Sequence, residues 1–327
     1  MNRKISTSIE AWPCITPFRI SGQAWDVFEG VVCEIEQDGI IGRGEAMGVY
    51  YQGETPESIR EQIEEISGVL ADGTSRQALQ SLLPPGGARF AIDSALWDLD
   101  AQLSGVSVWQ TADVSSRPVE TVFTIGLEDT PEQMATKASD AADLSLFKVK
   151  LDNDRPVERI AAIRAARPDS RLVVDANQGW NFSELKEFGP ALCDLGVLMI
   201  EQPLPRGEDQ QLEGYELAVP LCADESCLHL GELEQAASRY QMINIKLDKC
   251  GGLTHGLELA RAATNMGLGL MVGCMGGTSL SMAPSHVLAQ LCEFVDIDGP
   301  LLIKKDRDGG LIYERGMVSL PPKHFWG

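Results

Sequence analysis

From residue 120 onward the chain repeats one pattern. A short apolar run is followed by a helical stretch, and the run returns at intervals of roughly 22 to 28 residues. Eight strands are expected, at 121–125, 147–151, 172–175, 197–201, 220–224, 242–247, 268–273 and 294–297. Each is apolar on both faces, as a strand buried between a core and flanking helices must be. The segments between them carry helix-start signals. Thr130-Pro131-Glu132 offers an N-cap with proline at N1, and Pro156 opens VERIAAIRAA. Eight strands with helical crossovers imply the α/β class and a parallel barrel of the (β/α) type. An open doubly wound sheet is the competitor, and no G-x-G-x-x-G follows the first strand to support it.

The first 115 or so residues differ in texture and read as mixed α and β. Segment 27–36 is β-rich, with turns expected at Gly39, Gly42 and Gly44. Ile59, Ile63, Ile66 and Leu70 share one helical face, and Ile92, Leu96, Leu99 and Leu103 share another. A length of 327 residues accommodates about two such domains.

In a barrel of this kind chemistry sits at the C-terminal ends of the strands. Strand 2 carries Lys148-Val149-Lys150, and a period of two aims both lysines at one face. Strands 3, 4 and 5 end at Asp175, Glu201 and Asp224; strand 6 carries Lys246 and strand 8 carries Asp296-Ile297-Asp298. Three acids on adjacent strands converge on one mouth, where their repulsion calls for a divalent cation. All-oxygen ligation suits Mg²⁺, with Mn²⁺ as the alternative. The four histidines lie too far apart for a zinc site, so carboxylates must do the holding.

In a ring of eight, strand 2 faces strand 6 and strand 4 faces strand 8. Lys150 and Lys246 therefore face each other across the mouth, and the Asp296/Asp298 pair faces the metal. A fitting substrate is anionic at the metal end and cationic at the other, with a lysine on each side. A lysine must be neutral to act as a base, and Mg²⁺ with a second cation such as Lys148 is expected to lower its pKa. Two bases on opposite faces of one carbon, beside a metal, suit inversion of a stereocentre α to a carboxylate.

The net charge, 27 − 48 = −21, argues against nucleic acid and anionic membrane surfaces as partners. No signal peptide or apolar run of about 20 residues is evident, and the eight cysteines form no C-x-x-C pair or disulfide framework. A soluble cytoplasmic protein with reduced thiols is expected. A homo-oligomer is left open.

These residues resemble the enolase superfamily, its muconate lactonizing enzyme subgroup and, within that, the dipeptide epimerases of the L-Ala-D/L-Glu type. GRGEA at Gly42, YQGET at Tyr51 and ARFAIDSALWDL at Ala88 are similar to the capping domain; KVK, DANQGW, IEQP, ADES and INIKLDKCGG are similar to the barrel. DIDGP at Asp296 is the narrower sign, because dipeptide epimerases bind the substrate α-ammonium with such a D-x-D. The resemblance implies a modified TIM-type (β/α)7β barrel over residues 117–300. An α+β capping domain would span 1–116, completed by 301–327. It implies Asp175, Glu201 and Asp224 as Mg²⁺ ligands, and Lys150 and Lys246 as the acid/base pair for the C-terminal α-carbon of a dipeptide. Lys148 would stabilise the enolate or tune Lys150, Thr124 would touch the substrate, and Lys249 would support.

The resemblance has one departure. L-Ala-Glu epimerases carry a basic residue in the loop after the first strand, where Gln23 is expected here, with Arg19 nearby. Trp25, Tyr50 and Tyr51 would instead line a pocket for a larger or uncharged side chain. On the same scaffold the alternatives are N-acylamino acid racemisation, o-succinylbenzoate synthesis and muconate cycloisomerisation, whose substrates have no free ammonium. The branch with an Asp–His pair on strands 6 and 7 is disfavoured, since segment 268–274 has no histidine. A binding protein on a retired barrel is countered by the intact catalytic set.

Overall fold

A parallel sheet of eight strands dominates the structure, a computed structural model that describes residues 3–327. The chain begins with an antiparallel meander of β1 (Lys4–Ile20), β2 (Gln23–Gln37) and β3 (Ile40–Ala46). Helices Pro56–Glu65, Ser67–Ala71, Arg76–Leu82 and Gly87–Ser104 follow. After a short β4 (Val119–Glu120), the parallel strands run in chain order. They are β5 (Phe123–Ile125), β6 (Leu146–Lys150), β7 (Arg171–Asp175), β8 (Val197–Glu201), β9 (Leu221–Ala223), β10 (Met242–Lys246), β11 (Gly269–Gly273) and β12 (Phe294–Val295). The Val122 N–H donates to the Val295 carbonyl at 2.8 Å, which joins the two outer ends of the sheet. Short strands β13 (Tyr313–Glu314) and β14 (Met317–Val318) pair with β4.

The period of two along each barrel strand builds a floor. Val122, Leu146, Val173, Met199, Cys222, Met242, Met271 and the partly buried Phe294 form one apolar cluster, one side chain from each strand or its entry. The alternate residues join the larger core that spans the helices. The expected helix starts are present. Thr130 caps Pro131–Asp140 in a capping box with Gln133, and Pro156 is the first residue of Pro156–Ala166.

Three local expectations change. Strand β1 was implied only by the resemblance that puts Gln23 in the loop after a first strand. The residue pattern did not show it, because its alternation of exposed and half-buried residues gives no continuous apolar run. The face through Ile59 and Leu70 is interrupted at Ile66, where Ser67-Gly68 follow as weak helix formers. Gly42 and Gly44 lie within β3 rather than in turns. A Cβ on Gly42 would stand 2.2 Å from the Ala95 carbonyl oxygen, and one on Gly44 would stand 2.1 Å from that of Ala91. These two glycines let the sheet approach the backbone of Gly87–Ser104.

Buried polar contacts hold the first domain to the barrel. Asp248 accepts from the Met47 and Gly48 N–H groups at 2.9 and 2.8 Å, and Asp93 accepts from the Thr254 hydroxyl at 2.6 Å. Glu45 pairs with Arg307 at 2.7 Å and accepts the Thr278 N–H. The tail returns to the first domain: Trp326 Nε1 donates to the Arg43 carbonyl at 3.0 Å and the Gly327 N–H to Asp98 at 2.9 Å. Among the described residues, no helix is long and apolar enough to cross a membrane. All eight cysteines are unpaired.

Candidate active site

The apolar floor fixes what stands above it. Two residues beyond Leu146 is Lys148, and two further is Lys150. By the same step Val173 leads to Asp175, Met199 to Glu201, Cys222 to Asp224, Met242 to Asn244 and Lys246, and Phe294 to Asp296 and Asp298. The register sets Lys150 beside Asp175 and Asp175 beside Glu201.

Asp175, Glu201 and Asp224 are fully buried and can present oxygens within 4.8 Å of one another. Lys148 Nζ lies 2.7 Å from Glu201, 2.8 Å from Asp296 and 3.1 Å from Asp175. Lys150 Nζ lies 2.7 Å from Asp175, and Lys246 Nζ 2.7 Å from Asp224. Glu201 Oε2 and Asp224 Oδ2 each have a lysine Nζ at 2.7 Å as their one polar neighbour among the described residues, which leaves further lone pairs free. Two incompletely satisfied carboxylate oxygens in an all-oxygen cluster fit a small divalent cation of the Mg²⁺ kind.

The charges move one another's pKa values. Burial raises the Asp175 carboxyl, but Lys150 and Lys148 outweigh it and hold it at about 2. Burial and the charge of Asp175 push Glu201 up to about 7. Asp224 is held well below the usual range, its burial outweighed by Lys246 and Lys249. Burial works to lower Lys148 and Lys246, yet both stand well above an ordinary lysine because of the surrounding carboxylates, Asp296 foremost for Lys148 and Asp224 for Lys246. Lys148 does pull Lys246 down, as expected, but Asp224 prevails.

Asp298 accepts the Thr124 N–H at 2.6 Å. Burial and the neighbouring Asp296 raise Asp298 to about 7, while Lys148 and Lys150 overcome burial and hold Asp296 low. Thr124, Lys148, Lys150, Lys246, Asp296 and Asp298 all line one cavity, which also takes in Trp25, Tyr50 and Tyr51 from the first domain. Gln23 is not brought to it. It sits at the exposed tip of the β1–β2 hairpin and, with Arg19, lines a separate depression.

Three supporting residues escaped the sequence reading. Asn244 donates to Glu201 at 2.7 Å, and its place in the period of two, between Met242 and Lys246, was the available signal. Gln202 adjoins Glu201 in the IEQP motif. Its side-chain Oε1 accepts the Asp224 and Ser226 N–H groups at 2.9 and 3.0 Å, and its side-chain Nε2 donates to the Tyr240 hydroxyl and the Leu204 carbonyl. Glu225, also on the cavity, is raised to about 8 by burial and Asp224; nothing in the sequence separated it from its neighbours in ADES. Lys249 donates to the Asp224 side chain and carbonyl, both at 2.6 Å, and to the Asn244 carbonyl.

Residues 132–324 match the family model described as enolase C-terminal domain-like. Residues 3–111 match the N-terminal domain of mandelate racemase / muconate lactonizing enzyme. The chain is 41% identical to an L-Ala-D/L-Glu epimerase of Escherichia coli (strain K12), over 97% of this chain and 100% of the relative. It is 42% identical to an N-acetyl-D-glutamate racemase of a Pseudoalteromonas species, over 83% of this chain and 87% of the relative. A crystal structure of an enolase family member from Agrobacterium tumefaciens, with homology to dipeptide epimerases and with bound sodium and L-Ala-L-Glu, superposes with a TM-score of 0.97. It is 39% identical, covering 99% of this chain and all of the other.

Proposed function

The chain belongs to the mandelate racemase / muconate lactonizing enzyme family of the enolase superfamily, and from that premise we propose that it is a dipeptide epimerase. It inverts the α-carbon of the C-terminal residue by proton exchange between Lys150 and Lys246. The observation that carries this reading is the cavity itself. It brings both lysines together with the Asp296/Asp298 pair, and Lys148 joins that pair to the buried carboxylate cluster. The pair is suited to an ammonium and the cluster, through its cation, to a carboxylate.

Asp175, Glu201 and Asp224 would hold Mg²⁺, or Mn²⁺ in its place. Bound there, such a cation supplies positive charge against the substrate carboxylate and takes up anionic charge that otherwise keeps Lys246 protonated. The remaining work falls to side chains. One lysine, neutral, removes the α-proton; the electron pair left on carbon delocalises into the adjacent carboxylate as an enolate. The other lysine, as ammonium, delivers a proton to the opposite face. Lys148, held cationic among four carboxylates, adds fixed positive charge beside the developing enolate. Asp296 and Asp298 fix the substrate α-ammonium and Thr124 positions Asp298 through its N–H. We assign residues 1–116 and 301–327 to the cap and 117–300 to the barrel.

Incubation of L,L-dipeptides with the protein and Mg²⁺ in D₂O is expected to place deuterium at the C-terminal α-carbon, and chelation of the cation to stop it. Lys150→Ala and Lys246→Ala should each abolish epimerisation, while one of them retains exchange on a single enantiomer. Absence of exchange across a broad dipeptide set, or full activity in both variants, rules the reading out. A second reading, N-acylamino acid racemisation, is favoured by the Pseudoalteromonas relative. It predicts turnover of N-acetylated amino acids that Asp296→Asn and Asp298→Asn leave largely intact, because such substrates have no ammonium.

A further inference from the structure

We propose that the residue inverted by this protein carries a cationic side chain, and that Glu29 on β2 recognises it together with Trp25 and Tyr50. The inference rests on the dipeptide epimerase reading and names its substrate class. Four groups surround the α-carbon to be inverted. Its carboxylate belongs at the Asp175–Glu201–Asp224 cluster, its amide nitrogen leads to Asp296 and Asp298, and its hydrogen points at one of the two lysines. The side chain is left with the open side of the cavity, where the first domain forms the wall.

That wall carries one charge, and it is negative. Among the described residues, the only cations lining the cavity are Lys148, Lys150 and Lys246, each within 3.1 Å of a buried carboxylate. Arg19, the basic residue nearest the hairpin tip, turns away to pair with Asp129 at 3.1 Å. Glu29 lines the cavity, is exposed, and makes no ion pair among the described residues. It shares a face of β2 with Trp25, four residues earlier. The Trp25 ring meets that of Tyr50 edge to face, with centroids 5.1 Å apart. A free carboxylate on the same cavity wall as two aromatic rings, about 13 Å along the strand from Trp25, matches a long lysine or arginine side chain, which can pass the rings with its stem and pair at its head. A glutamate side chain would meet Glu29 with no cation to offset the repulsion. The substrate thus differs in charge from the one named for the Escherichia coli relative.

The test uses the Mg²⁺-loaded protein in D₂O with L-Ala-L-Lys, L-Ala-L-Leu and L-Ala-L-Glu, each followed by α-deuterium incorporation. L-Ala-L-Lys is expected to have the highest kcat/KM, exceeding L-Ala-L-Glu by about tenfold or more. Glu29→Lys should lower the Lys-to-Glu ratio by about tenfold, and the near-isosteric Glu29→Gln should give an intermediate ratio. The proposal is overturned if L-Ala-L-Glu or L-Ala-L-Leu equals or exceeds L-Ala-L-Lys, or if Glu29→Lys leaves the ratio unmoved. Exchange that favours the wrong dipeptide removes this inference and leaves the epimerase reading standing. No exchange with any dipeptide removes both.

Discussion

Asp298 shows how a single residue couples the proposed chemistry to pH. Its burial, and a second carboxylate two residues away, raise its pKa to about 7. Above that value it is a carboxylate, which in the proposed complex would face the substrate ammonium; below it the group is neutral and that ammonium would keep only Asp296. KM for a dipeptide should therefore rise as pH falls from 8 to 6, by about tenfold, the worth of one charge-assisted hydrogen bond. Steady-state kinetics across that range should show the limb for dipeptides and not for N-acetylated amino acids. Asp298→Asn should raise KM at pH 8 and flatten the profile. A limb that survives Asp298→Asn belongs to another group. The place of Asp298 at the barrel mouth was legible in the sequence because it continues the inward-facing alternation of β12. That strand ends at Val295, short of the expected 297, and Asp298 itself precedes the helix Gly299–Leu302. Gln23 shows where such reading stops. Its place in the loop after the first strand was inferred by resemblance, but which way that loop points is set by the turn at Ser21-Gly22, where Gly22 adopts a φ of 74°.

At the scale of elements, the barrel strands were legible because burial on both faces leaves an unmistakable apolar run. Of the first sheet only β2 was, through the β-rich segment 27–36, since one exposed face dilutes the signal of its neighbours, and packing rather than composition gives its glycines their meaning. Gly44 is the clearest case. Gly44→Ala puts a Cβ within 2.1 Å of the Ala91 carbonyl oxygen and 2.7 Å of the Ser94 Cβ. The strand must leave the helix or the helix must shift, and neither neighbour is a flexible side-chain end. We expect a loss of about 3 kcal/mol, at the upper end of what overpacking costs, measured as a lowered urea midpoint. The glycines at 39 and 53, whose surroundings are open, provide the control. They sit at positive φ, so their substitution reports backbone strain alone, which costs about 1–2 kcal/mol. A Gly44→Ala variant no less stable than these would mean that close approach to the helix is unnecessary.

Across the whole molecule, the chain builds the first domain, then the barrel, and returns to the first domain with its last residues. Trp326 is 1% exposed, packs edge to face against Trp109 with centroids 6.2 Å apart, and donates to the Arg43 carbonyl. Arg43 in turn donates to the Phe325 carbonyl, and the Val108 N–H to that of Gly327. The tail therefore ties β3 and the segment near Val108 to the part of the chain that has just left the barrel. Wall residues Trp25, Tyr50 and Glu29 belong to the first domain while the lysines belong to the barrel, so a substrate bound in this cavity, as proposed, would contact both. Trp326→Ala deletes a large buried ring and should cost about 3–5 kcal/mol. The polar contacts of Asp248, Asp93 and Glu45 across the same boundary still make the two domains one cooperative unit. Thermal unfolding of the variant should then remain a single transition at lower temperature, with far-ultraviolet circular dichroism, tryptophan fluorescence and loss of α-proton exchange sharing one midpoint. Separate midpoints would show the first domain detaching before the barrel melts, and would locate the coupling in the tail rather than in those buried carboxylates.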